Sequence, residues 1–265
     1  MAALRIDLPH AARMYDYYLG GKDNFPADRA AAAKVVQLLP DATTGSRANR
    51  RFLGRAVRFA ARQGISQFLD IGIGLPTSDN THEVAQAAAP GARVVYVDND
   101  PVVLAHARAK LRSTGEGRIA YVDGDFRDPA SILDSPQTSA LLDLTRPVAL
   151  LLVALLHFIP DDEDPAALLA TYKAALPPGS ALIVTHGTGD LMAPEVATAV
   201  TRAYERAGLG IVSRTHAEVR GLFDGLDLVD PGVVPIHEWR PDSDEDRALT
   251  RAQVPGYAGV ALKQG

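Results

Sequence analysis

Three acidic segments in the middle of the chain carry residue types at spacings that could do chemistry. In Asp70-Ile71-Gly72-Ile73-Gly74-Leu75-Pro76-Thr77 two glycines follow a carboxylate. Such glycines permit a tight strand-to-helix turn and let a ligand approach the backbone, and the helix expected over Ser78 to Ala89 would point its N-terminus at that ligand. A dinucleotide-binding turn requires a third glycine, and Thr77 stands in its place. Asp70 would also set a negative charge where a pyrophosphate has to lie, so it suits a ligand with a cationic ammonium. The plainer reading is a capped turn with packing glycines. The second segment, Tyr96-Val97-Asp98-Asn99-Asp100-Pro101, places Asp98 and its neighbour Asn99 at a strand end, where a carboxylate can accept both hydroxyls of a ribose. Asp100 reads as the cap of a helix opened by Pro101. The third, Asp123-Gly124-Asp125-Phe126-Arg127, offers Asp125 to an exocyclic amine and Phe126 to an adenine face, or else is a capped turn beside a core phenylalanine.

Holding these segments together requires a parallel sheet. Short apolar runs at Gln67 to Ile71, Arg93 to Val97, Ile119 to Val122, Pro147 to Val153 and Ala181 to Thr185 alternate with helical stretches, the rhythm of successive βαβ units. From Gly225 onward, Leu226 to Val229, Val233 to Ile236 and Tyr257 to Leu262 follow with no long helix between them, which predicts an antiparallel addition at the sheet edge. Before residue 65 the pattern predicts helices over Ala11 to Leu19, Ala27 to Leu39 and Ser46 to Gln63, the last with a basic outer face. The expected architecture is α/β: a Rossmann-like, mostly parallel sheet over residues 65–265, an antiparallel strand near the C-terminus, and a helical N-terminal cap or lid over residues 1–64. The acidic stretch Asp242 to Asp246 reads as a solvated loop.

Composition bounds the chemistry. The 265 residues are 47% hydrophobic and 22% charged, an ordinary globular balance. With 27 Lys and Arg against 32 Asp and Glu, the net charge is -5, which argues against a protein built to grip nucleic acid. The arginines from Arg47 to Arg62 read more plainly as a solvated face paired with acidic neighbours. Zero cysteines exclude disulfides, thiolate metal sites and thiol nucleophiles. The stretch Met1 to His10 lacks a continuous apolar segment, so no secretory signal is expected, and the longest apolar run, Val148 to Ile159, is far short of the about 20 residues a membrane span needs. A cytoplasmic protein without membrane contact is the default expectation.

Together these segments resemble the class I S-adenosylmethionine-dependent methyltransferases. More specifically, the chain is similar to an actinobacterial S-adenosyl methyltransferase family, formerly a domain of unknown function. The hallmarks are Arg13-Met14-Tyr15-Asp16-Tyr17-Tyr18-Leu19-Gly20-Gly21-Lys22-Asp23-Asn24-Phe25, the two segments around Asp70 and Asp98, and Leu156-His157-Phe158-Ile159-Pro160-Asp161. The one departure is Ile73, where threonine looks commoner in the family. The resemblance implies S-adenosylmethionine as cofactor and S-adenosylhomocysteine as product, with no metal. Asp70 would serve the ammonium, Gly72 and Gly74 give room, Asp98 with Asn99 hold the ribose, and Gly124, Asp125 and Phe126 hold the adenine. Ala154 and Leu155 would line the methionine end.

On the acceptor side, His157 has two readings, a general base or a histidine that bonds locally and shapes the pocket beside Phe158. The N-terminal segment reads either as a lid, with Lys22 or Asn24 meeting the cofactor carboxylate and Tyr15 or Tyr18 touching the acceptor, or as a cap whose aromatics pack on the core. Trp239 covers the pocket edge or seals the sheet, and His186 is equally ambiguous. An Asn-Pro-Pro-Tyr or Asp-Pro-Pro-Tyr motif after the fourth strand is absent, which lowers nucleic-acid and glutamine amino groups as acceptors. The expectation is therefore a methyltransferase acting on a small molecule. Its rivals are a non-catalytic regulator that binds the cofactor or its product, and an NAD-dependent oxidoreductase, which Thr77 and Asp70 disfavour.

Overall fold

The computed structural model describes residues 5–113 and 115–265. Three helices, α1 (Ala11–Tyr18), α2 (Pro26–Leu38) and α3 (Ala42–Arg62), precede an alternation of strands and helices. In that alternation β1 (Gln67–Ile71), α4 (Thr81–Ala88), β2 (Arg93–Asp98), α5 (Pro101–Lys110) and β3 (Arg118–Asp123) come first. They are followed by α6 (Pro129–Leu133), α7 (Pro136–Leu141), β4 (Ala149–Val153), α8 (Pro165–Ala175) and β5 (Ala181–Gly187). Then come α9 (Pro194–Arg206), α10 (His216–Gly221), β6 (Asp227–Leu228), β7 (Val234–Pro235), α11 (Asp244–Ala248) and β8 (Gly256–Leu262).

The strands lie in the order β3-β2-β1-β4-β5-β8-β6, with β7 also paired to β8. β1 to β5 are parallel, and β8 runs antiparallel to β5 from Ala181 opposite Leu262 to Gly187 opposite Gly256. The order reverses between β1 and β4, so a crevice opens beyond their carboxyl ends, the place where open α/β sheets bind ligands. Strands covered on both faces are near-continuous apolar runs, and Val148 to Leu152 is wholly buried. The helices start where local chemistry dictates. α5, α6, α7 and α8 each open on a proline, with Asp100, Asp128, Ser135 and Asp164 accepting a backbone N–H of the first turn.

Two cores sandwich the sheet. Phe52, Leu53, Ala56 and Val57 of α3 share one of them with Phe68, Val94, Ile183 and Trp239. α3 is thus a layer of the sheet domain, and the expected boundary at residue 65 does not coincide with a break in packing. Met14, Tyr18, Ala32 and Val35 of α1 and α2 join Val200 of α9 in a separate cluster, which forms a roof over the carboxyl ends of the central strands. α9 is the element the motifs do not announce, although Val196, Val200, Ala203 and Tyr204 recur at helical spacing.

The acidic stretch is corrected from a solvated loop. Residues Asp244 to Ala248 form α11, and Asp246 is fully buried, accepting from Arg55 and, at 2.7 Å, from Arg51 Nε. Arg58 pairs with Asp242 at 2.7 Å. Most of the basic face of α3 is therefore spent on its own chain, and Arg55 is itself buried. Among the described residues no helix is long and apolar enough to cross a membrane.

Candidate functional site

A cavity of about 510 Å³ opens beyond the carboxyl ends of β1, β2 and β4, under α1, α2 and α9. Its size lies in the usual range for small-molecule sites. Its floor is the turn after β1. Gly72 and Gly74 adopt φ of 77° and 65°, the left-handed region that favours glycine. A Cβ on Gly72 would stand 2.9 Å from Leu155 Cδ1. Ala154 is left-handed too, at φ 56°, and its N–H donates to Thr185 Oγ1 at 2.8 Å. Backbone held this way beside a cavity is a feature of functional sites.

The carboxylates are arranged by backbone donors. Asp98 Oδ2 accepts from Gly74 N at 3.0 Å and Oδ1 from Asp100 N at 2.9 Å, and burial raises its pKa to about 7 against those bonds. Asp70, on β1, accepts from Thr81 Oγ1 at 2.6 Å. Burial raises it to about 6, with the Thr81 bond and the Arg50 charge opposing. Asn99 Nδ2 donates to Asp125 Oδ2 at 2.6 Å, and Asp125 Oδ1 accepts from Arg127 N at 2.9 Å. Burial pushes Asp125 up, but these donors and the Arg127 charge outweigh it and hold the carboxyl below its ordinary range. Gly124 leaves no room for a side chain, since a Cβ would lie 2.9 Å from Ile132 Cγ1. Phe126 reaches the cavity wall while its ring stacks on Tyr172 at 5.1 Å between centroids.

The opposite end is walled by Tyr18, Val35, Leu39, Phe158, Met192, Val200, Tyr204 and Ile211. Tyr15 also lines the cavity, with its hydroxyl engaged twice, donating to Ser46 O at 3.0 Å and accepting from Asn49 Nδ2 at 2.8 Å. His157 sits between the two ends. Its Nδ1 accepts from Gly187 N at 3.3 Å, and burial, reinforced by His186 and Arg214, lowers its pKa to about 3. A neutral ring with Nδ1 engaged carries its proton on Nε2, so it can donate but not act as a base. This arrangement favours the histidine that bonds locally and shapes the pocket over the general base.

Several expected contacts lie off the wall. His186 is fully buried, its Nδ1 donating to Gly187 O at 2.6 Å and its Nε2 accepting from Arg214 Nη1 at 2.9 Å. Asn24 is buried but turned back, donating to Asp16 Oδ2 at 2.7 Å and to Gly21 O at 3.0 Å, so it fastens the glycine turn. Lys22 is exposed and does not line the cavity. Trp239 is fully buried edge-on to Phe52 and Phe59, so it seals the sheet and does not edge the pocket.

Residues the motifs do not single out also matter. Arg50 lines the cavity near Asp70. Its Nη2 donates to Ser78 O and Asp79 O at 3.2 and 3.0 Å, while its buried Nε has no hydrogen-bond partner among the described residues. The available signal is its place on an arginine-rich helix that ends just before the first strand. Arg13 of α1 lies 3.3 Å from Asp100 and 3.7 Å from Asp28, tying the roof to the loop that carries Asp98. Among the described residues no group of three or more His, Asp or Glu is placed to hold a metal ion.

The sheet order, the antiparallel β8 and a cavity at the switch point define a class I methyltransferase fold. The S-adenosyl methyltransferase family matches residues 1–264, and the chain belongs to that family. A DUF574 family protein from Streptomyces avermitilis is 45% identical with a TM-score of 0.95, over 98% of this chain and 100% of that one. A Thermobifida fusca protein put forward as a methyltransferase is 41% identical with a TM-score of 0.90, over 99% and 97%. More distantly, the Burkholderia thailandensis 1,6-didemethyltoxoflavin-N1-methyltransferase shares the fold at 17% identity and a TM-score of 0.51, over 97% and 92%. The chain matches none of the curated proteins. Family and fold support S-adenosylmethionine-dependent methyl transfer as the general activity.

Proposed function

We propose that this protein transfers the methyl group of S-adenosylmethionine to a small, apolar acceptor enclosed by α1, α2, α9 and the segment after β4. The observation that carries this reading is the polarity of one continuous cavity: Asp70, Asp98, Asp125, Arg50 and Arg127 surround the sheet end, and apolar and aromatic side chains wall the other. The sheet end fits the cofactor on features of its own. Asp98 presents a buried carboxylate with acceptor capacity beyond its two backbone bonds, Arg50 Nε has no hydrogen-bond partner among the described residues, and Gly72 leaves a space that a Cβ would fill.

In this reading Asp98, beside Asn99, accepts the ribose hydroxyls, and Asp125 takes the adenine amine with Phe126 against the ring. Asp70 faces the ammonium and Arg50 the carboxylate of the methionine end, along Ala154 and Leu155. Bound S-adenosylmethionine supplies a methyl group activated on a sulfonium. The protein's part is then to align the acceptor with that methyl group and to exclude water. α1 and α2 serve as the cap, with Tyr15 held to α3. In this reading His157 acts as a hydrogen-bond donor and is given no part as a base.

Calorimetry with S-adenosylmethionine, S-adenosylhomocysteine and NAD tests the cofactor, and binding of NAD alone would reverse the reading. Formation of S-adenosylhomocysteine over a panel of uncharged aromatic compounds tests turnover. Binding with persistent silence would favour a regulator over an enzyme. Arg50→Met is expected to weaken S-adenosylhomocysteine about tenfold, the low end for a hydrogen bond to a charged group, and to leave 5′-methylthioadenosine, which lacks the amino-acid end, unchanged. An equal loss for both ligands would remove Arg50 from the carboxylate.

A further inference from the structure

The apolar end of the cavity holds a pair of facing hydroxyls. Tyr18 of α1 and Tyr204 of α9 meet hydroxyl to hydroxyl at 3.0 Å, and both line the cavity. Tyr18 is only 5% exposed. Two phenols bring two hydrogens, and a single bond between them uses one. Neither hydroxyl has another partner among the described residues, so one O–H is left over in apolar surroundings, where an unmet donor costs free energy. Phe158 lies 6.2 Å from the Tyr204 ring and 4.4 Å from the His157 ring, centroid to centroid, so flat side chains flank the pair. The cavity residues supplied by α2, α9 and the stretch from Gly208 to Ser213 include no acid, lysine, arginine or histidine. Arg127 lines the same cavity and donates to Phe158 O at 3.3 Å, but its guanidinium is already paired with Glu163 and Asp125, so a charged ligand would be desolvated there without a free counter-charge.

We propose that the Tyr18–Tyr204 pair is the acceptor-recognition element, and that it selects an uncharged, ring-bearing molecule with a hydrogen-bond-accepting oxygen. This inference rests on the methyltransferase reading and adds the substrate class to it. The pair can present its spare hydrogen from either ring, because whichever tyrosine accepts the internal bond has its own O–H free. Substituting one tyrosine by phenylalanine therefore leaves a donor in place, and only the double change removes it.

The test uses the full chain saturated with S-adenosylhomocysteine and three probes of similar shape, followed by equilibrium dialysis: 2-acetylnaphthalene, 2-ethylnaphthalene and 2-naphthoate. The ketone is expected to bind at least tenfold more tightly than the hydrocarbon or the carboxylate. Tyr18→Phe and Tyr204→Phe should each keep that preference, and the double variant should lose it while binding S-adenosylhomocysteine as before. Equal binding of the three probes, no binding of the ketone, or a preference that survives the double change would overturn the inference. A wild-type chain that fails to bind S-adenosylhomocysteine would instead bring down the methyltransferase reading beneath it.

Discussion

Replacing Asp98 with alanine is expected to weaken S-adenosylhomocysteine binding by about 1.5–3 kcal/mol, the usual worth of hydrogen bonds to a charged group, or roughly 10- to 150-fold. The carboxylate is 5% exposed and already fixed by Gly74 N and Asp100 N, so it meets a ligand hydroxyl without reorganising. Alanine would also leave the Gly74 N–H, in the turn that forms the cavity floor, without its acceptor. The same carboxylate gives binding a pH dependence whose sign is fixed. With burial raising its pKa to about 7, the ligand-free protein holds Asp98 mostly protonated at pH 6, whereas ribose hydroxyls donate best to the ionised form. Affinity should therefore rise between pH 6 and pH 8, by roughly tenfold if only the ionised form binds. Calorimetry across that range should find the slope in the wild type and little of it in Asp98→Ala. A flat wild-type profile with unchanged affinity in the variant would place the ribose elsewhere.

How much of this was legible in the sequence depends on how local each signal is. The segments carrying Asp70 and Asp98 announce themselves because a strand covered on both faces is a continuous apolar run and a polar residue at or near its end is conspicuous, whereas Asp125 lies two residues past β3, a half-covered edge strand. The prolines and their capping residues fix helix starts within a few positions. Side-chain partners are decided by the third dimension, and there the reading thinned. Asn24 looks available for a ligand until the glycine turn folds it back on Asp16. Asp246 sits in a run of acids and reads as solvated until α3 brings Arg55 and Arg51 onto it. His157 stands where a base would be useful, yet Gly187, from the neighbouring strand, supplies the N–H that occupies its lone pair. Tyr204 meets Tyr18 from 186 residues away, a pairing that no spacing rule contains.

Asp70→Asn is expected to move stability and binding in opposite directions. Asp70 is 4% exposed and, among the described residues, accepts one hydrogen bond, from Thr81 Oγ1, which an asparagine oxygen can equally accept. Burial raises its pKa from 3.8 to about 6, so the folded chain binds this proton more tightly than the unfolded chain. The group's contribution to stability is then full below pH 3.8, falls as the pH rises toward 6, and above that becomes the cost of keeping a charge buried. At about 1.36 kcal/mol per unit, that cost is on the order of 3 kcal/mol at pH 8. The neutral variant escapes it, so its melting temperature without ligand should exceed that of the wild type at pH 8 by about 5–10 °C for a chain of this size. The difference should shrink toward zero as the pH approaches 4. Affinity should move the other way, because the ammonium of the methionine end loses its counter-charge and a charge-assisted bond of about 1.5–3 kcal/mol. S-adenosylhomocysteine should then bind at least tenfold more weakly to a sturdier protein. A variant that is less stable at pH 8 would mean that Asp70 holds the fold together as an ion, and one that binds the ligand unchanged would remove it from the ammonium. Both measurements are made on the same protein, so a buried carboxylate kept at a cost for its ligand can be told apart from one kept for structure.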